Sequence, residues 1–346
     1  MSWNYLGNET AVALLRSHVA QGCLRQAYLF SGPSGVGRRT LALRLAQAAN
    51  CLTPPQAGDF CGACRPCKLI ADMRHPDLEV VEAEQRSGVL RVEQIRELQH
   101  RLSLAPYEAS YRVALLLRFE EANLNAQNAL LKTLEEPPQR VLIFITTEDS
   151  ESLLPTIVSR CEVIHLRPLP PTVLAQTLIE TQGSEPTFAS QIARLSGGRP
   201  GLALQLLHQP EKRQTQQRII EQHLALLSAS YLDRFALAER LAKEKSKAEI
   251  VSLLEYGFVF WRDVLLCACG DHNHLTYQEL LEPLMDIAAQ LGSAESLQAL
   301  SRLRQTLDHL QGNVNVRLAL EVLFLNLPRL RFSSPASQVS LETPQI

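Results

Sequence analysis

Three groups of residues have the types and spacing to do chemistry. The first is Gly32-Pro33-Ser34-Gly35-Val36-Gly37-Arg38-Arg39-Thr40. Glycines at 32, 35 and 37 permit a tight backbone path whose N–H groups, with a helix N-terminus, can surround a phosphate. A working loop of this kind ends Gly-Lys-Ser/Thr, the lysine reaching the outer phosphates and the hydroxyl holding magnesium. Here Arg38 stands at the lysine position, Arg39 at the hydroxyl position, and the Thr40 hydroxyl comes one place late. Arginine is a planar fork rather than a point charge, a poor replacement inside a tight loop. The loop keeps its shape and has lost both chemical side chains.

The second group is Cys51, Cys61, Cys64 and Cys67, four thiols within 17 residues. Thiolate sulfur suits tetrahedral zinc, and four cysteines with no open position read as a structural site. Asp59, Gly62, Arg65 and Pro66 supply turns for such a knuckle. An iron–sulfur cluster fits the spacing too, but nothing here needs redox chemistry. The plainest reading is four free thiols. Cys23, Cys161, Cys267 and Cys269 read as small buried apolar residues. The third group is Arg160, within Thr156-Ile157-Val158-Ser159-Arg160-Cys161. An arginine on a short rigid turn can be presented to a neighbouring subunit's γ-phosphate, where a transition state gathers negative charge. An ordinary surface arginine in a local salt bridge is the competing reading.

Positioning these groups falls to an alternation of strands and helices. Apolar runs at 28–30, 78–81, 113–117, 142–145 and 163–166 read as five buried strands. Val12, Leu14, Leu15 and Val19, expected to share a face, mark a first helix, and Val92, Ile95, Leu98 and Leu102 another. Ala129, Leu130 and Leu134 mark a third, closed by Pro137-Pro138. Such an alternation opening on a phosphate loop predicts a parallel sheet covered on both faces, with ligands at the carboxyl ends of the strands. A hydrolysing site would need a carboxylate pair ending the third strand. Glu120 and Glu121 follow it, displaced past Arg118 and Phe119, and read as a solvated helix start. Thr146 and Thr147, ending the fourth strand, could sense a phosphate or be ordinary strand-end residues.

After Pro168-Leu169-Pro170-Pro171 the strand signals stop. The expected order is an α/β domain over 1–166, a small helical unit over 167–208, an all-helical unit over 209–330 and a disordered tail over 331–346. With 46 % hydrophobic residues in 346, the chain has ample core. No bilayer-spanning run or signal peptide is seen, which predicts a cytoplasmic protein away from membranes. A net charge of −2 excludes a broadly basic nucleic-acid coat.

Several stretches together resemble one family, the bacterial DNA polymerase III clamp-loader subunits of the AAA+ class. They are Gln26-Ala27-Tyr28-Leu29-Phe30-Ser31-Gly32-Pro33, the four cysteines, and Asn128-Ala129-Leu130-Leu131-Lys132-Thr133-Leu134-Glu135-Glu136-Pro137-Pro138. Leu154-Pro155-Thr156-Ile157-Val158-Ser159-Arg160-Cys161, Trp261-Arg262-Asp263 and Asn313-Val314-Asn315-Val316-Arg317-Leu318-Ala319-Leu320-Glu321 complete the set. The resemblance implies an AAA+ phosphate-loop domain with a zinc knuckle, a helical lid and a helical collar. It also implies a hetero-oligomeric ring with gamma/tau motor subunits and a delta subunit, which opens a sliding clamp and closes it around primed DNA. The family has ATP-hydrolysing motors and a member with a defective site. Arg38, Arg39, the missing third-strand aspartate and Gly201 (in place of a sensing arginine, with Arg199 off position) match the defective member. No ATPase activity is then expected from the chain alone, and Arg160 would be an arginine finger acting in trans. Nucleotide binding without hydrolysis stays open. The runner-up is a gamma/tau-type motor in which Arg38 substitutes for lysine and Glu120 or Glu121 for the aspartate. A third reading is a zinc-bearing adaptor gripping DNA through Arg38, Arg39, Arg44, Arg65 and Lys68.

Overall fold

The structure, a computed structural model, describes residues 2–83, 88–312 and 314–330. The tail expected at 331–346 and Asn313 of the last resembling stretch lie outside the described residues. The chain divides into two compact units, Met1–Leu204 and Gln205–Ile346.

In the first unit, five strands form one sheet: β1 (Ala27–Ser31), β2 (Leu78–Val81), β3 (Arg112–Leu116), β4 (Val141–Thr147) and β5 (Glu162–His165). Their order across the sheet is β2-β3-β4-β1-β5, and every pairing is parallel. These are the five apolar runs of the sequence. The runs are nearly continuous because both faces of the sheet are covered. Alternate residues serve opposite faces. Tyr28, Phe30, Val113, Leu115, Leu142 and Phe144 pack with Leu41 and Leu45 of α2 (Arg38–Asn50) and Leu15 of α1 (Glu9–Ala20). On the other face Leu29, Ala114, Leu116, Ile143 and Ile145 pack with Ile95 and Leu98 of α4 (Val92–Leu102) and Leu130 of α5 (Leu124–Glu135). Each such side chain contributes roughly 1.5–3 kcal/mol on burial. The short helix α3 (Arg65–Ala71) follows the cysteine stretch, and α6 (Pro155–Val158) precedes β5. Three helices continue the chain, α7 (Pro171–Gln182), α8 (Pro186–Leu195) and α9 (Pro200–His208).

One expectation for α1 fails. Val12 and Leu15 are buried, but Leu14 is 39 % exposed. At 100° per residue Leu14 lies about 200° around from Val12, so the two cannot share a narrow face.

The second unit is helical: α10 (Pro210–Ser228), α11 (Tyr231–Glu244), α12 (Lys247–Ala268), α13 (Leu281–Gln311, interrupted at Gly292) and α14 (Val316–Asn326). Reciprocal caps start α11, through Ser230 and Asp233, and α12, through Ser246 and Glu249. Arg234 is fully buried and donates to the carbonyls of Phe324, Leu327 and Pro328 at 2.7, 2.7 and 2.9 Å, capping the end of α14. Asp263, also fully buried, accepts from the backbone N–H groups of Thr276 and Tyr277 and from Arg262. The Trp261-Arg262-Asp263 stretch thus fixes the chain that leaves α12. Among the described residues, no helix is long and apolar enough to cross a membrane.

Candidate functional site

The parallel register brings Ser31 of β1 beside Thr147 of β4 and His165 of β5. The carboxyl ends of the strands therefore meet along one edge, and the glycine loop leaves β1 at its middle. Gly35 and Gly37 have φ of +82° and +105°. A side chain at Gly37 would also meet the Tyr5 hydroxyl at 2.8 Å. Glycine is required here both by conformation and by space.

The loop then packs on its own chain. The Tyr5 hydroxyl donates to the Val36 carbonyl at 3.0 Å. The Gly201 N–H, in the first turn of α9, donates to the Gly35 carbonyl at 2.8 Å. Arg38, the first residue of α2, is only 8 % exposed. Its guanidinium lies 3.4 Å from Glu148 Oε1 and 3.8 Å from Glu120 Oε1. Arg39 and Thr40 point to solvent, and Arg199 bends back to donate to the Ser196 carbonyl at 2.8 Å.

This geometry corrects the reading of Glu120 as a solvated helix start. Arg118 takes a left-handed conformation, φ +49°, and its N–H donates to Thr146 Oγ1 at 2.9 Å. That turn drives Phe119 into the core and swings Glu120 toward Arg38. Burial raises the Glu120 carboxyl above its ordinary pKa, partly offset by Arg38. Glu121 pairs instead with Arg118 at 3.3 Å. Thr146 and Thr147 spend their hydroxyls inside the protein, on the Leu116 and Asp149 carbonyls. Sequence reasoning missed Glu148 and Tyr5. Glu148 directly follows β4, so the rule that ligand-facing groups sit at strand carboxyl ends could have found it. Nothing local marked Tyr5.

Arg160 lies away from the glycine loop, on the turn after α6, which leads into the amino end of β5. Its side chain is 36 % exposed and bonded to Glu135 Oε1 at 2.7 Å and to the Thr156 carbonyl at 2.9 Å. It borders a cleft of about 280 Å³ shared with Arg25, Ser159, Cys161 and Glu162.

Cys51, Cys61, Cys64 and Cys67 converge, each offering a sulfur, with all four sulfurs within 4.8 Å of one another. Cys51 directly follows α2, Cys64 caps α3 and Cys67 sits inside it. A tetrahedral zinc with bonds of about 2.3 Å spaces its sulfurs about 3.8 Å apart, so a small contraction would suffice. Backbone N–H groups of Cys61 and Cys64 point at the sulfurs of Cys51 and Cys61, both at 3.2 Å, as a thiolate set requires. The Thr53 hydroxyl, with the N–H groups of Cys64 and Ala63, holds the Cys61 thiol down at about 5. Burial pushes Cys51 and Cys67 up. Those two thiolates need a cation to be stable, and the donor set fits a metal ion. Cys23 and Cys269 are exposed, contrary to the expectation of burial, whereas Cys161 is half-buried and Cys267 buried.

A family described as DNA polymerase III, delta subunit, matches residues 7–170. The delta' subunit of DNA polymerase III from Bacillus subtilis is 29 % identical over 332 residues, spanning 94 % of this chain and 98 % of that protein. The chain is thus similar to a DNA polymerase III delta' subunit over nearly its whole length. A second delta' subunit, from Pseudomonas aeruginosa, is 38 % identical over 197 residues, 56 % of this chain and 59 % of that protein. The tau/gamma subunit of Haemophilus influenzae is 32 % identical over 234 residues, which span 65 % of this chain but 33 % of that longer protein. Two of these three relatives are thus matched over less than two thirds of their own length. The five-stranded parallel sheet and the converging four cysteines are those read from the sequence.

Proposed function

We propose that this chain is the non-hydrolysing wall of a clamp-loader ring, one that lends Arg160 to the ATP site of an adjacent gamma/tau motor. In this reading residues 1–166 are the AAA+ module, 167–208 a lid and 209–330 a collar that joins the ring, with zinc at the four cysteines as a structural ion. The ring, completed by a delta subunit, opens a sliding clamp and closes it around primed DNA. One observation carries the reading. The arginine at the lysine position already faces Glu120 and Glu148, so two carboxylates compete with an outer phosphate for the cation at that position. The same pairing takes Glu120 out of the role that a motor would need it for. Arg160, by contrast, remains at the surface on a short turn, where a neighbouring phosphate could reach it.

The test is steady-state ATPase activity with primed DNA and clamp, for the chain alone, the reconstituted ring, and a ring carrying Arg160→Ala. The chain alone should be inactive, and Arg160→Ala should lower ring activity by about a thousandfold or more. Turnover by the chain alone would make it a motor. Full activity of the Arg160→Ala ring would remove the finger.

A further inference from the structure

Arg160 is held by two acceptors at once. One is the Thr156 carbonyl within the short helix α6, 2.9 Å from Nη1, and the other is Glu135 Oε1, 2.7 Å from Nη2. Glu135 is the last residue of α5, so both acceptors belong to helices packed in one core. A guanidinium has five N–H groups. Two are used here, and Nε–H with one donor on each Nη remains for an incoming anion. An exposed pair of this kind adds little to stability. Its consequence is geometric, since a long side chain otherwise spreads over many rotamers and must be ordered each time it acts.

We propose that Glu135 is a positioning residue for Arg160. It fixes the guanidinium before a partner arrives, leaving the free donors facing outward beside the cleft. The proposal rests on the arginine-finger reading and deepens it. Position, not charge, is what Glu135 supplies, so the side chain's length should matter more than its ionisation. Glutamine keeps the length and an acceptor oxygen. Aspartate keeps the charge but falls one methylene short of the 2.7 Å contact.

The experiment compares rings carrying Glu135→Ala, Glu135→Asp, Glu135→Gln and Arg160→Ala, with kcat and KM for ATP measured on assembled ring. Melting of each free chain serves as a check on folding. The expected result is kcat lower by about tenfold for Glu135→Ala and Glu135→Asp, with KM and melting unchanged and Glu135→Gln close to wild type. A collapsed Arg160→Ala ring with an unimpaired Glu135→Ala ring would overturn the positioning role and leave the finger standing. Activity kept by aspartate and lost by glutamine would assign the effect to charge and overturn it as well. An Arg160→Ala ring at full rate would remove the finger, and the positioning role with it.

Discussion

The zinc proposed at the four cysteines is tested most directly by chelation. Cys51 directly follows α2, and Cys64 and Cys67 begin α3. A metal bridging them closes the 17-residue stretch from Cys51 to Cys67. Closing a loop of that size removes chain entropy worth about 3 kcal/mol from the unfolded state. For a unit of some 200 residues, each kcal/mol moves the melting temperature by about 2–4 °C. Loss of the ion should therefore lower the transition of the Met1–Leu204 unit by about 6–12 °C. Free thiols at Cys51 and Cys67, which burial already disfavours as thiolates, make refilling by metal depend on release of protons. The assay is elemental analysis of purified chain followed by calorimetry with and without a strong chelator, repeated on Cys64→Ser. Cys269→Ser, at an exposed thiol outside the cluster, is the control and should melt as wild type. A chain that carries no metal, and that melts within about 1 °C of its starting value in chelator and as Cys64→Ser, would refute both the metal and the cross-link argument.

Two further outcomes follow from ion pairs and caps. Wild-type chain should bind ATP only weakly by calorimetric titration, and the double variant Glu120→Gln with Glu148→Gln should bind it about 5–30-fold more tightly, because pairs worth about 1–2 kcal/mol no longer compete for Arg38. Equal affinities would show that the contacts of Tyr5 and Gly201, not the carboxylates, close the loop. Arg234→Ala should cost about 3–5 kcal/mol in chemical denaturation followed by helical signal, since three carbonyls at the end of α14 lose a buried charged donor. Arg234→Lys should recover little of it, one ammonium being unable to span three acceptors.

The fold was legible because its strongest signals are local. Each strand is a short apolar run covered on both faces, and α2, α4 and α5 each carry an apolar face or a terminating signal in their own residues. The four cysteines were legible for the same reason, since their spacing alone limits how far apart they can lie. The electrostatics of the loop were not. Arg38, Glu120 and Glu148 follow three different strands, and only the strand order β3-β4-β1 brings them together. In the sequence Glu120 looks like a helix-start carboxylate, and the left-handed turn at Arg118 that redirects it is written in no residue preference. A charge read from a motif is thus a gross charge. Whether an arginine in a phosphate loop can attract a phosphate depends on what the fold sets opposite it. Here two carboxylates stand in that place, at the strand ends where a ligand's own negative charge would otherwise sit. The same reasoning separates Arg38 from Arg160. Arg38, itself buried, meets two acids, whereas Arg160 meets one acid and a carbonyl at the surface and keeps donors to spare. If either arginine of this chain serves a nucleotide, it is the one whose partners leave its outer edge free.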